Sequence, residues 1–217
     1  MQIIEQRSEE WFNIRKGKIT SSEFHKIMGK NDLTDTAKTY LLERVSEIFG
    51  AESVTQGNAA TDWGTQWEPT AIEYYTEKTG NQVQAASFMP YNEVYGGSPD
   101  GLVQPKGIVE VKCPHNSANH FKHSLISSDE DFKKKKPDYY YQCMSNMICA
   151  KADWCDFISF DPRVDTEYTI FIYRLYRNDD EIKNMLERLE IAAKYMKQLQ
   201  ESIKDRKKLL LEGVRPE

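Results

Sequence analysis

Apolar residues recur at helical spacing over much of this chain, but a middle stretch breaks that rhythm. Ser8-Glu9-Glu10-Trp11 has the form of a capped helix start, and Gly17 is placed to end that helix. Thr20-Ser21-Ser22-Glu23 offers a second N-cap, with Gly29 as its stop. From Asp35 to Gly50, Leu41, Leu42, Val45, Ile48 and Phe49 mark one helical face. A further helix is predicted from Thr61 to Lys78, closed by Gly80, with Pro69 starting or kinking part of it.

From Asn81 to Cys113 the pattern becomes short runs of Val, Phe, Tyr and Ile punctuated by Gly96-Gly97, Gly101 and Gly107, which is strand and hairpin grammar. Within it, Ile108-Val109-Glu110-Val111-Lys112 alternates, so that Glu110 and Lys112 share one strand face while the aliphatic residues meet the core. Helices are expected over 117–125 and 137–150 with a lysine-rich loop between them, then strands over 154–160 and 168–176 joined at Asp161-Pro162-Arg163. Residues 179–211 read as one long amphipathic helix, apolar at Ile182, Met185, Leu186, Leu189, Ala193, Met196, Leu199 and Ile203, a stripe suited to packing on a sheet. With no repeat or linker in view, the expectation is one α/β domain over 1–217, a central mixed sheet flanked by helices.

Composition narrows the class. With 39% hydrophobic and 29% charged residues, the 217-residue chain can bury one sizeable core and expose a charged surface. No run approaches the roughly 20 apolar residues of a membrane helix, and Met1-Gln2-Ile3-Ile4-Glu5 lacks a signal-like apolar region, so no membrane association and a cytoplasmic location are expected. Cys113, Cys143, Cys149 and Cys155 lack Cys-x-x-Cys spacing and read as reduced thiols; His115, His120 and His123 fall on a polar stretch and read as surface residues. The formal net charge of -5 weighs against nucleic-acid binding, although Lys133 to Lys136 form a local basic run.

Chemistry concentrates at Ser98-Pro99-Asp100-Gly101 and Glu110-Val111-Lys112. Glycine and proline let the backbone bend around Asp100, and a hairpin then brings Asp100 beside Glu110. Two carboxylates so close repel unless a cation lies between them, and such oxygen donors suit Mg²⁺. Lys112, on the strand face of Glu110, can orient a water or offset charge on a phosphate.

Pro99-Asp100 followed by Glu110-Val111-Lys112 matches the PD-(D/E)xK nuclease pattern, and with it a restriction-endonuclease-like core. Further blocks agree: Trp11 to Ser22, Trp63-Gly64-Thr65-Gln66-Trp67-Glu68, Gly97 to Gly101, Glu110 to Pro114, Tyr139 with Gln142, and Phe160-Asp161-Pro162-Arg163. In that order they resemble the phage lambda exonuclease family, the YqaJ-type viral recombinases. The resemblance implies a catalytic core over about 60–163, with Asp100, Glu110, Glu68 and the Val111 carbonyl around two Mg²⁺ ions, Mn²⁺ substituting. It implies catalytic roles for Lys112 and Gln142, a 5′-phosphate contact for Arg15 and Ser22, and a substrate contact for Tyr139. It also implies a homotrimeric ring that digests double-stranded DNA ends 5′ to 3′ in a bacterial host, alongside a single-strand annealing protein. Two other readings stay open: a structure-specific or restriction-type endonuclease, and a non-cleaving DNA-binding module of the same fold.

Overall fold

The computed structural model describes residues 4, 6–29, 31–52 and 59–212. Ser8 accepts the Trp11 N–H and starts α1 (Glu9–Arg15), and Gly17, at φ +70, turns the chain out of it. After β1 (Ile19–Thr20) the residues Ser21–Ile27 wind as a tighter 3₁₀ turn rather than an α-helix, and Thr20 precedes it without a side-chain cap. Thr34 caps α2 (Asp35–Ile48) through the Ala37 N–H. α3 (Ala59–Thr79) runs through Pro69, which neither begins nor ends it, and Gly80 at φ +74 follows.

Five short strands come next: β2 (Val83–Gln84), β3 (Met89–Pro90), β4 (Tyr95–Gly97), β5 (Gly101–Val103) and β6 (Gly107–Lys112). Three helices, α4 (Ser117–Ser124), α5 (Asp129–Lys135) and α6 (Pro137–Ala150), cross over to β7 (Trp154–Phe160). The expected lysine-rich loop is therefore largely helical: Lys133 to Lys135 form the last turn of α5, where cations suit the helix dipole, and Lys136 makes the junction. β8 (Ile170–Tyr176) and α7 (Asp179–Leu211) complete the described elements.

The principal sheet has the order β2-β5-β6-β7-β8, parallel only between β6 and β7, so it is mixed as expected. A smaller sheet has the order β1-β4-β3. β6 is central and buried along both faces. Its Ile108 joins Tyr140, Met144 and Met147 of α6 and Phe157 of β7 in the larger core, whereas Val109 and Val111 pack with Ala71 and Tyr75 of α3. The stripe of α7 does not cover the sheet. Met185, Leu189 and Met196 instead pack into a layer with α2 and α6, and the buried Arg188 donates to the carbonyls of Ile27 and Asn31.

Candidate active site

β5 and β6 pair with Gly101 opposite Val109, so Asp100 stands one step beyond the ladder, facing Glu110. The Asp100 N–H donates to the Val109 carbonyl (3.1 Å), and Asp100 Oδ2 accepts the Val111 N–H at 2.6 Å. The turn thus ties one carboxylate to the strand that carries the other.

Glu110 is fully buried. Lys112 Nζ donates to its Oε1 at 2.5 Å and Asn146 Nδ2, from α6, to its Oε2 at 2.9 Å. Burial, with the charges of Glu110 and Glu68, pushes the Asp100 carboxyl well above the usual carboxylate range. Burial raises Glu110 as well, against the pull of Lys112. For Lys112 burial opposes the charge, but Glu110 and Asp100 outweigh it and hold the ammonium protonated.

These groups open into a cleft of about 740 Å³. Its walls include each residue to which the resemblance gave a site role: Glu68 from α3, Asp100, Glu110, Val111 and Lys112 from the hairpin, Tyr139 and Gln142 from α6, and Arg15 and Ser22 from the N-terminal part of the chain. Arg15 lies over the Trp11 ring at 3.6 Å, and burial draws its pKa down to about 10. Trp11 Nε1 in turn donates to Ser98 Oγ (3.1 Å), two residues from Asp100. The Tyr139 ring carries the ammonium groups of Lys112 at 5.0 Å and Lys136 at 5.3 Å. Of the lysine run, Lys136 alone lines the cleft, while Lys133 and Lys135 are paired to Glu181 and Asp131. Arg163 fixes the rim: it binds both oxygens of Asp161, donates to the carbonyls of Pro114 and His115, and lies over Trp63 at 4.3 Å.

Among the described residues no group of three or more His, Cys, Asp or Glu side chains is pre-arranged around one ion position. Each cleft acid has a protein partner instead: Arg7 for Glu68, the Val111 N–H for Asp100, Lys112 and Asn146 for Glu110. The donor chemistry nevertheless fits a hard divalent cation, since three carboxylates line one cleft and two of them have their pKa values raised there.

The histidine expectation fails for two of the three. His120 and His123 are buried, and both Nδ1 atoms lie 2.9 Å from Ser159 Oγ. In the neutral form of His120, Nε2 donates to the Tyr168 carbonyl at 2.8 Å and Nδ1 accepts the Ser159 proton. His123 must then donate from Nδ1, leaving Nε2 a buried acceptor with no partner among the described residues. His115 lies on the cleft wall. The four cysteines are free thiols, as expected, three of them buried.

A YqaJ-like viral recombinase domain model matches residues 10–153, the stretch that contributes nearly all of the cleft. The chain belongs to the YqaJ-like viral recombinase family. An alkaline exonuclease from Laribacter hongkongensis is similar over 94% of this chain and 100% of its own, at 30% identity and a TM-score of 0.81. A second structure of that enzyme, in complex with dAMP, matches equally. A phage-related exonuclease from Haemophilus somnus shares the fold, at 22% identity and a TM-score of 0.74 over 86% of this chain and 96% of its own. Among curated proteins no match is found.

Sequence reading of this family member missed Arg7 and Asn146. Tyr139, Gln142 and Asn146 stand at i, i+3 and i+7, so Asn146 was legible from the helical period. Nothing in the sequence around Arg7 marks its contact 61 residues away.

Proposed function

We propose that this chain is a divalent-metal-dependent exonuclease that digests one strand of linear double-stranded DNA from a 5′-phosphorylated end. The observation that carries this reading is the gathering of Asp100, Glu110 and Lys112 with Glu68, Gln142 and Arg15 on the walls of one cleft. Family membership and the likeness to an alkaline exonuclease support a deoxyribonuclease over a non-cleaving module.

Asp100, Glu110, Glu68 and the Val111 carbonyl would hold Mg²⁺, as two ions, with Mn²⁺ substituting. When bound, such ions polarise the scissile phosphate and offset charge on the leaving 3′ oxygen. Lys112 keeps a proton beside Glu110 and places positive charge where the phosphate gains negative charge. Gln142 adds a polar amide on the α6 wall, Tyr139 holds the Lys112 and Lys136 ammonium groups over its ring, and Arg15 with Ser22 would receive the terminal phosphate. The setting is recombination of phage type by single-strand annealing, in the cytoplasm of a bacterial host, with an annealing protein as partner; no described helix is long and apolar enough to cross a membrane.

The test is digestion of end-labelled linear duplex against closed circular DNA. Linear DNA should be degraded with Mg²⁺ or Mn²⁺, bound but left intact with Ca²⁺, and untouched in EDTA. Nicking of the closed circle would instead favour an endonuclease, and full activity in EDTA would remove the metal from the account.

A further inference from the structure

Ile4, Gln6 and Arg7 tie the start of the described chain to the residues around the acid-bearing turn. Ile4 N–H donates to Ser87 Oγ (2.6 Å), and Gln6 Nε2 donates to the carbonyl of Pro99 (2.9 Å), the residue before Asp100. Between these anchors and α1, Arg7 adopts φ +68, a conformation that residues with side chains rarely take. The bend sends its guanidinium into the cleft, where Nη2 donates to Glu68 Oε2 at 3.0 Å. A left-handed non-glycine residue that reaches a cleft carboxylate is where backbone strain points to function.

Two of the three cleft acids are thus matched by cations of the chain itself, Lys112 on Glu110 and Arg7 on Glu68. The two pairs differ in freedom. The Lys112 side chain is 21% exposed beside a fully buried partner, whereas Arg7 is 44% exposed. An exposed guanidinium holding a carboxylate through one contact exchanges partners readily, and its planar fork suits a phosphate.

We infer that Arg7 is a substrate-binding residue that neutralises Glu68 before the cation binds and turns to a substrate phosphodiester once the cation takes that carboxylate. The inference rests on the metal-dependent nuclease reading and adds a DNA contact that the reading does not contain. Arg7 and the cation compete for one carboxylate, so removing the guanidinium frees Glu68 for the ion. On DNA, losing one phosphate contact lowers the salt dependence of binding by about one counterion.

Calorimetry with Ca²⁺ alone, on the DNA-free full chain, should show Arg7→Gln binding the ion several-fold more tightly than wild type. Fluorescence anisotropy with labelled duplex in Ca²⁺, across a salt series, should give a log–log slope shallower by about 0.9 for Arg7→Gln and unchanged for Arg7→Lys. Should Arg7→Gln fold poorly, Arg7→Met keeps an unbranched stem and serves for both measurements. Calcium affinity equal to or below wild type, or an unaltered slope in the neutral variant, overturns the exchange. If wild type binds no Ca²⁺, the metal reading beneath it fails as well; wild-type digestion of linear DNA tests the exonuclease reading separately.

Discussion

Lys112 and Glu110, both on β6, make a charged contact of 2.5 Å, with Glu110 fully buried. Replacing Lys112 by Ala leaves the buried Glu110 to Asn146 and costs stability, and the folded protein should bind DNA but lose turnover on the order of 10²-fold or more. Wild-type turnover by Lys112→Ala would reduce that lysine to a structural counter-ion. The buried His123 makes a different prediction. Burial, with Lys136, His120 and Lys112 nearby, pulls its pKa from 6.5 to about 3, so the folded ring is neutral. The unfolded chain takes up the proton below about 6.5, so the stability due to the neutral ring is complete above that pH. It drains away as pH falls from 6.5 toward 3, by about 1.4 kcal/mol per pH unit. Denaturation midpoints measured between about pH 4 and 7 should fall steeply for wild type and less so for His123→Phe; parallel curves would contradict the neutral ring. Asp100, Glu110 and Lys112 were legible beforehand because a hairpin and a two-residue period fix their relation locally. The His120–Ser159–His123 relay was not, because its serine arrives from a strand 36 residues beyond His123.

Where β4 crosses α6, Gly97 leaves no room for a side chain. A methyl there would come within 2.2 Å of Ser21 Oγ and 2.4 Å of Asn146 Oδ1. Asn146 holds Glu110, so crowding it disturbs, through packing alone, the carboxylate proposed to bind the metal. Gly97→Ala should cost about 1–3 kcal/mol in stability and lower turnover by more than that loss of folded protein explains. Activity that simply tracks the folded fraction would confine Gly97 to a packing role. A cap and a glycine stop made α1 legible, the apolar period α2, and a glycine stop the end of α3. The β1-β4-β3 sheet was not, since strands of two or three residues carry too few positions to display a period. The stripe of α7 announced a buried face, but periodicity does not say what covers it; here α2 and α6 do.

Over the whole molecule a formal charge of -5 coexists with a cleft that presents Arg7, Arg15, Lys112 and Lys136. Two of these cations are already matched to cleft acids, so one copy holds DNA through few free charges, and such binding weakens steeply with salt. Enclosure of the duplex by a ring would supply the grip that charge does not, and cyclic symmetry closes rings from one repeated interface. We propose a homotrimer, the ring that the resemblance to the lambda exonuclease family implies: light scattering should give about three times the 25.3 kDa chain mass, and a monomer that persists with DNA and Ca²⁺ would defeat the ring alone. Arg15, stacked on Trp11 in the same cleft, should make wild type prefer 5′-phosphate over 5′-hydroxyl ends, a preference lost in Arg15→Ala; equal treatment of both ends by wild type would remove Arg15 as end sensor. The catalytic assignment itself is tested most directly by Asp100→Ala, assayed side by side for binding and cleavage of a 5′-phosphorylated linear duplex in Mg²⁺. The account predicts that this protein folds and still binds the duplex while cleavage is abolished; an Asp100→Ala protein that digests the strand as wild type does would contradict it.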